Sequence, residues 1–406
     1  MPIGLEQPKS LLNIKGIRLS ACSAGIYDKK RDDLALIEIC KDSIVTTAFT
    51  KNIFCAAPVK ISKNNLTKTS PLYCLINSGN ANAGTGKTGL SNAKAICKEL
   101  ANIVSCSEDE ILPFSTGVIG EDLPVEKIKK TIPDLIKKLS DDSWLSAAKA
   151  IMTTDTIPKA ISDQIKIGDT TINITGITKG SGMIKPNMAT MLSFIATDAR
   201  VTKDVLERIK LNALSKSFNR ITVDGDTSTN DSFILIATSK AKTPIIDKLD
   251  SNEFLILENA IMNICKKLAQ AIVRDGEGAN KFISIQVDGG ANESECLSAA
   301  YTIAESPLVK TAFTASDPNW GRIIAALGNA KIPNIDTKKI RIHINDVCIF
   351  DDDKRSDTYS EESGQREMSK EEIILKVELN RGDYSEEIWT TDLSHDYIKI
   401  NAEYRS

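Results

Sequence analysis

Helix-period and strand-period segments alternate along nearly the whole of this 406-residue chain, with no fixed-period repeat and no low-complexity linker between them. That interleaving constrains the fold most, because an amphipathic element must bury its apolar face against another layer. Leu34–Ile39 and Ile44–Phe49 read as strands, and Tyr73–Asn77 as a short apolar run entering a Gly- and Asn-rich turn. A helix is expected over Asn92–Val104. Ser107-Glu-Asp-Glu110 has the form of a capping box and leads into a short strand, Ile111–Phe114. Val125–Leu139 and Ser143–Met152 have helical spacing, and Gln164–Ile167 with Thr171–Ile174 forms a hairpin about Gly168-Asp169. Strands follow at Met191–Ala196, Phe233–Thr238 and Phe282–Val287. The helices between and after them are Lys203–Phe218 (capped by Thr202), Glu253–Val273 and Glu293–Ala304. The C-terminal stretch reads as strands, including Lys339–Asn345 and Ile373–Glu378, with Asp351–Gln365 as an exposed polar loop. The expected class is α+β, with layered helices on mainly antiparallel sheets.

The length allows two or three core-sized units. A net charge of −3 argues against a nucleic-acid partner, which calls for a basic face. No apolar run approaches the roughly 18 residues of a membrane span. The start, Met-Pro-Ile-Gly-Leu-Glu-Gln-Pro-Lys, has neither the basic nor the apolar region of a secretion signal. Nine cysteines, an odd number without a Cys-x-x-Cys pair, sit mostly in apolar runs and read as reduced, buried thiols of a cytoplasmic protein. With only two histidines, His343 and His395, a His-rich metal site or a Ser-His-Asp triad is not expected. His343 lies in an alternating strand pattern and reads as a surface or edge residue. His395, beside Asp396, is a minor candidate for substrate contact.

The run Lys179-Gly-Ser-Gly-Met-Ile-Lys-Pro-Asn-Met-Ala-Thr-Met-Leu-Ser-Phe-Ile-Ala-Thr-Asp198 carries the most chemistry. A Gly-rich segment passes Pro186 to Ala189-Thr190, and Thr190 opens an apolar strand. Cutting the Ala189–Thr190 bond would leave Thr190 with a free amine beside its own hydroxyl. The reference pKa of such an amine, roughly 7.7–8.0, lets it act as a base near neutral pH. A Thr so activated is a nucleophile and base in one residue. An ordinary loop-to-strand junction is the alternative reading.

Other strings are weaker alone. Gly84-Thr-Gly-Lys-Thr88 imitates a phosphate loop, but that pattern needs Gly at the position of Ala81. Ser115-Thr116-Gly117 follows a strand, where a backbone N–H and a hydroxyl can serve an oxyanion; taken alone the pattern is weak, and a plain strand-ending turn is its default reading. The hydroxyl cluster Thr153-Thr-Asp-Thr156 closes a helix. Lys179 suits a substrate carboxylate as a point charge, against the default of a solvated lysine. Glu277, between two glycines in Arg274-Asp-Gly-Glu-Gly278, suits a cationic amine. Thr222–Asp231 is Asp-rich, yet the twelfth position from Asp224 is Leu235, where a calcium loop needs a bidentate Glu. Trp320, in Ser316-Asp-Pro-Asn-Trp-Gly-Arg322, sits at a helix start and reads as a packing anchor.

These strings, in this order from about Gly16 to Ser406, resemble the ornithine acetyltransferase (glutamate N-acetyltransferase) family. The resemblance implies self-cleavage between Ala189 and Thr190 into chains 1–189 and 190–406 that share one interleaved site. It implies Thr190 as nucleophile, Thr116 and Gly117 as the oxyanion hole, and Thr156, Lys179, Thr190, Glu277, Asn401 and Ser406 as substrate-binding residues. Ser406 stands where many members have Thr. The implied reaction moves acetyl from N-acetylornithine to glutamate through an acetyl-Thr190 ester, in a ping-pong sequence within arginine biosynthesis. It needs no metal and no cofactor, although acetyl-CoA also serves some members as donor and stays open for this chain. An α2β2 heterotetramer is implied. Two alternatives remain: a self-processing N-terminal-nucleophile amidase or aminopeptidase, and an uncleaved small-molecule binder.

Overall fold

The structure is a computed structural model and describes residues 2–8, 10–27, 30–185 and 191–403. The chain divides into two compact units: a larger one of Glu6–Asn219 and Thr227–Ile272, and a smaller one of Met1–Leu5, Arg220–Asp226 and Val273–Ser406.

In the larger unit the strands are β1 (Ile17–Cys22), β2 (Leu34–Ile39), β3 (Ile44–Phe49), β4 (Tyr73–Asn77), β5 (Ile111–Ser115), β6 (Lys159–Ile167), β7 (Thr170–Lys179), β8 (Leu192–Thr197) and β9 (Ser232–Ala237). The helices are α1 (Ala57–Leu66), α2 (Gly86–Val104), α3 (Val125–Lys137), α4 (Trp144–Ala150), α5 (Lys203–Ser215) and α6 (Asn252–Arg274). Two sheets form, in the orders β1-β2-β4-β5 and β3-β9-β8-β7-β6. One core is shared by their facing sides: Leu19, Ala35, Ile37, Ile76 and Phe114 from the first sheet meet Ile177, Phe194 and Ile234 from the second. The Phe114 and Phe194 rings meet edge to face, centroids 5.2 Å apart, a geometry worth about 0.5–1.5 kcal/mol beyond burial. The alternate residues of β2, Leu34 and Leu36, point the other way, into a core closed by Leu100 of α2 and by Ile128 and Ile132 of α3. On the far side of the second sheet α6 lies against β7, so closely that a Cβ at Gly176 would sit 3.0 Å from Leu268. Strands buried on both faces need this double covering, which explains their near-continuous apolar composition.

The smaller unit holds β10 (Phe282–Gly290), β11 (Arg341–Ile344), β12 (Val347–Asp351), β13 (Lys354–Arg355), β14 (Glu372–Glu378) and β15 (Tyr384–Thr391). Its helices are α7 (Glu293–Ala304), α8 (Pro307–Thr314), α9 (Trp320–Gly328), α10 (Glu361–Met368) and α11 (His395–Ala402). The sheet order is β13-β12-β11-β14-β10-β15. Ile283, Ile285 and Val287 of β10 pack with Cys296, Ala300 and Ile303 of α7. Trp320 packs near Phe350, ring centroids 5.8 Å apart, as expected of an anchor.

Each sheet carries one parallel pair among the described residues: β4 with β5, β8 with β9, and β10 with β14. The other pairings are antiparallel, so the expected α+β class of helices layered on mainly antiparallel sheets describes the molecule. Several local expectations fail. Asp351–Gln365 is not one exposed loop: it contains β13 and the start of α10, which Ser360 opens with a capping box. The C-terminal stretch is not all strand, because α10 and α11 lie in it. His343 is not at an edge, since β11 pairs with both β12 and β14, and its Nδ1 is buried with no hydrogen-bond partner among the described residues. The helix expected from Asn92 begins at Gly86, so the imitation phosphate loop runs straight into the first turn of α2. All nine cysteines are free thiols, and five of them are buried.

Candidate functional site

Ala189, Thr190 and Ser406 lie outside the described residues. The remaining sequence-predicted residues fall into two groups, one in each unit.

In the larger unit the group comprises Thr116, Gly117, Thr156 and Lys179, of which Lys179 pairs with the start of β8. Met191, next in sequence to Thr190, accepts a hydrogen bond at its carbonyl from the Ser232 N–H at 2.8 Å. Across the other side of β8, Leu192 pairs with Lys179, the last residue of β7. Thr116 and Gly117 form the turn that follows β5. This turn lies against Gly79 and Asn80 of the Asn-rich loop: Gly117 has φ +134°, and a Cβ there would stand 2.3 Å from the Gly79 carbonyl carbon. Only glycine allows so close an approach.

The asparagines of that loop serve the backbone and not a ligand. Asn77 Nδ2 donates to the Asn80 carbonyl at 2.8 Å, and its Oδ1 accepts from the Ser115 hydroxyl at 2.6 Å. Asn80 Oδ1 accepts from the Asn82 N–H at 2.8 Å, and Asn82 Nδ2 donates to the Gly89 carbonyl at 3.0 Å. Buried polar groups are tolerated on this condition of mutual pairing. The Thr116 N–H is likewise spent, on the Asn77 carbonyl at 3.0 Å. Neither the Thr116 hydroxyl nor the Gly117 N–H has a partner among the described residues, and both residues are half-buried. The turn therefore presents two unspent donors, the form an oxyanion hole takes.

Thr156 is exposed, in the segment between α4 and β6. Its neighbour Asp155 was not singled out by sequence, because an acidic residue among threonines reads as a turn former. α4 ends at Ala150, so the Thr153–Thr156 cluster lies beyond the helix it was expected to close. Asp155 Oδ1 accepts from Lys159 Nζ at 2.6 Å and from the Gly180 N–H at 2.8 Å, and Oδ2 accepts from the Thr153 N–H at 2.9 Å. Burial alone would raise the Asp155 pKa. The Lys159 and Lys179 charges and the Gly180 hydrogen bond more than reverse this, holding the carboxyl well below the usual range. Lys179 is no solvated lysine: only 8% of it is exposed.

A stability consequence follows from this lowered pKa. The folded value lies below the unfolded one of roughly 3.9. The contribution is thus complete above that pH and is lost as pH falls toward the folded value. Asp155→Asn removes the buried ion pair between Asp155 and Lys159 and is expected to cost about 3–5 kcal/mol at neutral pH. Urea midpoints from neutral to acid pH check this: the gap between wild type and variant should close as pH falls below about 4.

In the smaller unit Glu277 and Asn401 touch: Asn401 Nδ2 donates to Glu277 Oε2 at 2.8 Å and to the Tyr397 carbonyl at 3.0 Å. Glu277 is buried, on the turn after α6, and Asn401 is exposed, in the last turn of α11. Gly278 makes the approach possible: its φ is +68°, and a Cβ would meet the Tyr397 nitrogen at 2.3 Å. The Ser394 hydroxyl fastens the same turn by donating to the Gly278 carbonyl at 2.6 Å. The Tyr397 hydroxyl donates to Asp224 Oδ2 at 3.3 Å. Burial, reinforced by the negative charges of Asp224 and Glu277, pushes the Tyr397 phenol well above its usual pKa. By spacing alone Asp224 is only the first acidic position of the Asp-rich string Thr222–Asp231. It belongs instead to a carboxylate-bearing patch with Tyr397, Glu277 and Asn401, suited to a cationic group. His395 opens α11.

The model of the ArgJ family matches residues 18–406. The chain belongs to the ArgJ family. It is 51% identical to the arginine biosynthesis bifunctional protein ArgJ of Pseudomonas fluorescens (strain Pf0-1), and 50% identical to that of Pseudomonas syringae pv. tomato. Each match spans 406 residues and the whole of both chains. A crystal structure of arginine biosynthesis bifunctional protein ArgJ from Bacillus halodurans is 35% identical, covering 51% of this chain and 96% of that one, with a TM-score of 0.49. Among the described residues of this ArgJ-family chain no helix is long and apolar enough to cross a membrane.

Proposed function

We propose that the chain is a self-processing acetyltransferase of arginine biosynthesis, moving acetyl from N-acetylornithine to glutamate. Membership of the ArgJ family supports this reading. The observation that carries its chemistry is the turn at Thr116 and Gly117, whose hydroxyl and N–H have no partner among the described residues; Asn230 links Ser115, just before this turn, to the segment that pairs with the start of β8.

The reaction has two stages. In the precursor, Thr190 Oγ attacks the Ala189 carbonyl. The peptide nitrogen leaves as the Thr190 amine, and water hydrolyses the resulting ester to give chains 1–189 and 190–406. In the mature enzyme the amine takes the hydroxyl proton while Oγ attacks the acetyl carbonyl of N-acetylornithine. The Thr116 hydroxyl and Gly117 N–H receive the developing oxyanion, and ornithine leaves carrying the proton. Glutamate then attacks the acetyl-Thr190 ester in the reverse sense, restoring Thr190. Thr156, Lys179, Glu277, Asn401 and Ser406 hold the amino-acid substrates. Lys179 suits a carboxylate, and Glu277 suits the side-chain amine of ornithine. No metal or cofactor enters a step; acetyl-CoA is the candidate second donor.

Strand order supports lasting association of the cleaved chains. β8 and β9, from 190–406, lie between β7 and β3, from 1–189. Separation would break two full strand pairings. Two such pairs make the proposed α2β2 heterotetramer. Nine free thiols fit a reducing cytoplasm.

Initial-rate kinetics test the reading. Varying N-acetylornithine at several glutamate concentrations should give parallel double-reciprocal lines, with N-acetylglutamate and ornithine formed in equal amounts. Acetate release without need of glutamate would instead assign the chain to the hydrolytic amidases.

A further inference from the structure

The string Thr222–Asp231 holds a residue to which the reaction above gives no task. Asn230 is buried in the larger unit, immediately before β9. Its Nδ2 donates to two carbonyls from different segments: Ala81 of the Asn-rich loop at 2.6 Å and Ser115, just ahead of Thr116, at 2.9 Å. Its Oδ1 accepts from the Thr229 hydroxyl at 2.6 Å, which fixes the sense of the amide. On the other side the segment is held to the stretch that follows β3. The Thr50 hydroxyl donates to the Ser228 carbonyl at 2.7 Å, the Thr50 N–H to Asp231 at 3.0 Å, and the Ala56 N–H to Thr229 at 3.0 Å. Two residues beyond Asn230, the Ser232 N–H holds the Met191 carbonyl. One short, braced segment thus grips both the turn that bears the unspent donors and the strand that begins beside Thr190.

We propose that Asn230 is a positioning residue of the acetyl-transfer reaction. Its amide sets the Thr116–Gly117 turn at the distance from the start of β8 that the oxyanion requires. The inference rests on the proposed oxyanion role of that turn. An oxyanion donor acts only where charge develops, so its displacement lowers kcat and spares substrate binding. A misplacement of about 1 Å is enough to cost about 100-fold. Self-cleavage passes through the same kind of oxyanion and should slow with it.

The test is Asn230→Ala in the full chain, measuring kcat, KM for N-acetylornithine, the rate of precursor cleavage and the melting temperature. The expected result is a fall in kcat of about 100-fold, KM within about threefold of wild type, and uncut precursor accumulating in folded protein. Asn230→Ser, which keeps one donor, should fall between the two. A folded Asn230→Ala protein with wild-type kcat overturns the proposal, as does a loss of activity that only follows the folded fraction. If neither variant folds, Asn230 is a core residue and the proposal also fails. Thr116→Ala separates this from the underlying reading. An unchanged kcat in Thr116→Ala removes the oxyanion role itself. A reduced kcat there with a normal Asn230→Ala removes only the positioning role.

Discussion

Replacing Thr190 with Ala is expected to leave a single folded chain of 406 residues with no acetyl transfer. The change deletes the attacking oxygen of both stages, and nothing else in the chain is asked to replace it. Loss of a covalent nucleophile in a hydrolase of comparable logic costs on the order of 10⁶-fold in kcat, so transfer should drop to background. Thr190→Ser keeps a hydroxyl at the same atom and should retain both cleavage and transfer at reduced rate. Denaturing gels read the cleavage, and ornithine release reads the transfer. An uncleaved binder predicts the opposite, since its behaviour would not depend on this oxygen. Transfer that persists in Thr190→Ala would end the nucleophile assignment.

The second large effect is expected at Gly117. A methyl group there would lie 2.3 Å from the Gly79 carbonyl carbon and 2.5 Å from the Asn80 nitrogen, with φ at +134°. Both neighbours are backbone atoms held by the Asn-rich loop, so the turn and not its surroundings must move. The backbone strain alone is of order 1–3 kcal/mol, and the donor leaves its position. Losing one such donor costs about 10²–10³-fold in kcat. Gly117→Ala should therefore lose at least about 100-fold in kcat, with precursor cleavage slowed in parallel. Steady-state rates and the fraction of uncut chain check it. A fully cleaved Gly117→Ala enzyme with near-normal kcat would mean that the turn stabilises no oxyanion.

Sequence pattern revealed most of the scaffold where burial is strong. β2 and β4 stand where their apolar runs predict, because strands buried on both faces must be apolar on both, and the half-buried β3 also stands where expected. The pattern failed where an element buries little. None of the α11 residues is buried, so no apolar stripe announces it. α10 buries only Gly364, Glu367 and Met368, and its polar composition read as loop. The first turn of α2 is Gly-Lys-Thr-Gly, weak in helix propensity and exposed except at Gly89, so nothing in the pattern marks it as helix. β15 hid behind Glu386 and Glu387, although Glu386 is buried with Arg220 at 3.1 Å.

The same distinction runs through the site. Thr116, Gly117, Lys179 and Glu277 could be nominated from sequence because their residue types carry chemistry in a recognisable context. Asp155 and Asn230 were not, since their work lies in contacts to distant backbone. Asp155 reaches Gly180 across 25 positions, and Asn230 reaches Ala81 across 149. No local spacing encodes either contact. Tyr397 and Asp224 stayed hidden for the same reason, being 173 positions apart in the chain.

Intact mass spectrometry of the purified protein, incubated with N-acetylornithine in the absence of glutamate and quenched in acid, tests the central claim most directly. Two chains should appear, the second beginning Thr-Met-Leu-Ser and heavier by one acetyl group that disappears when glutamate is added. A single uncut chain, or a cut second chain that never gains acetyl, would contradict the account.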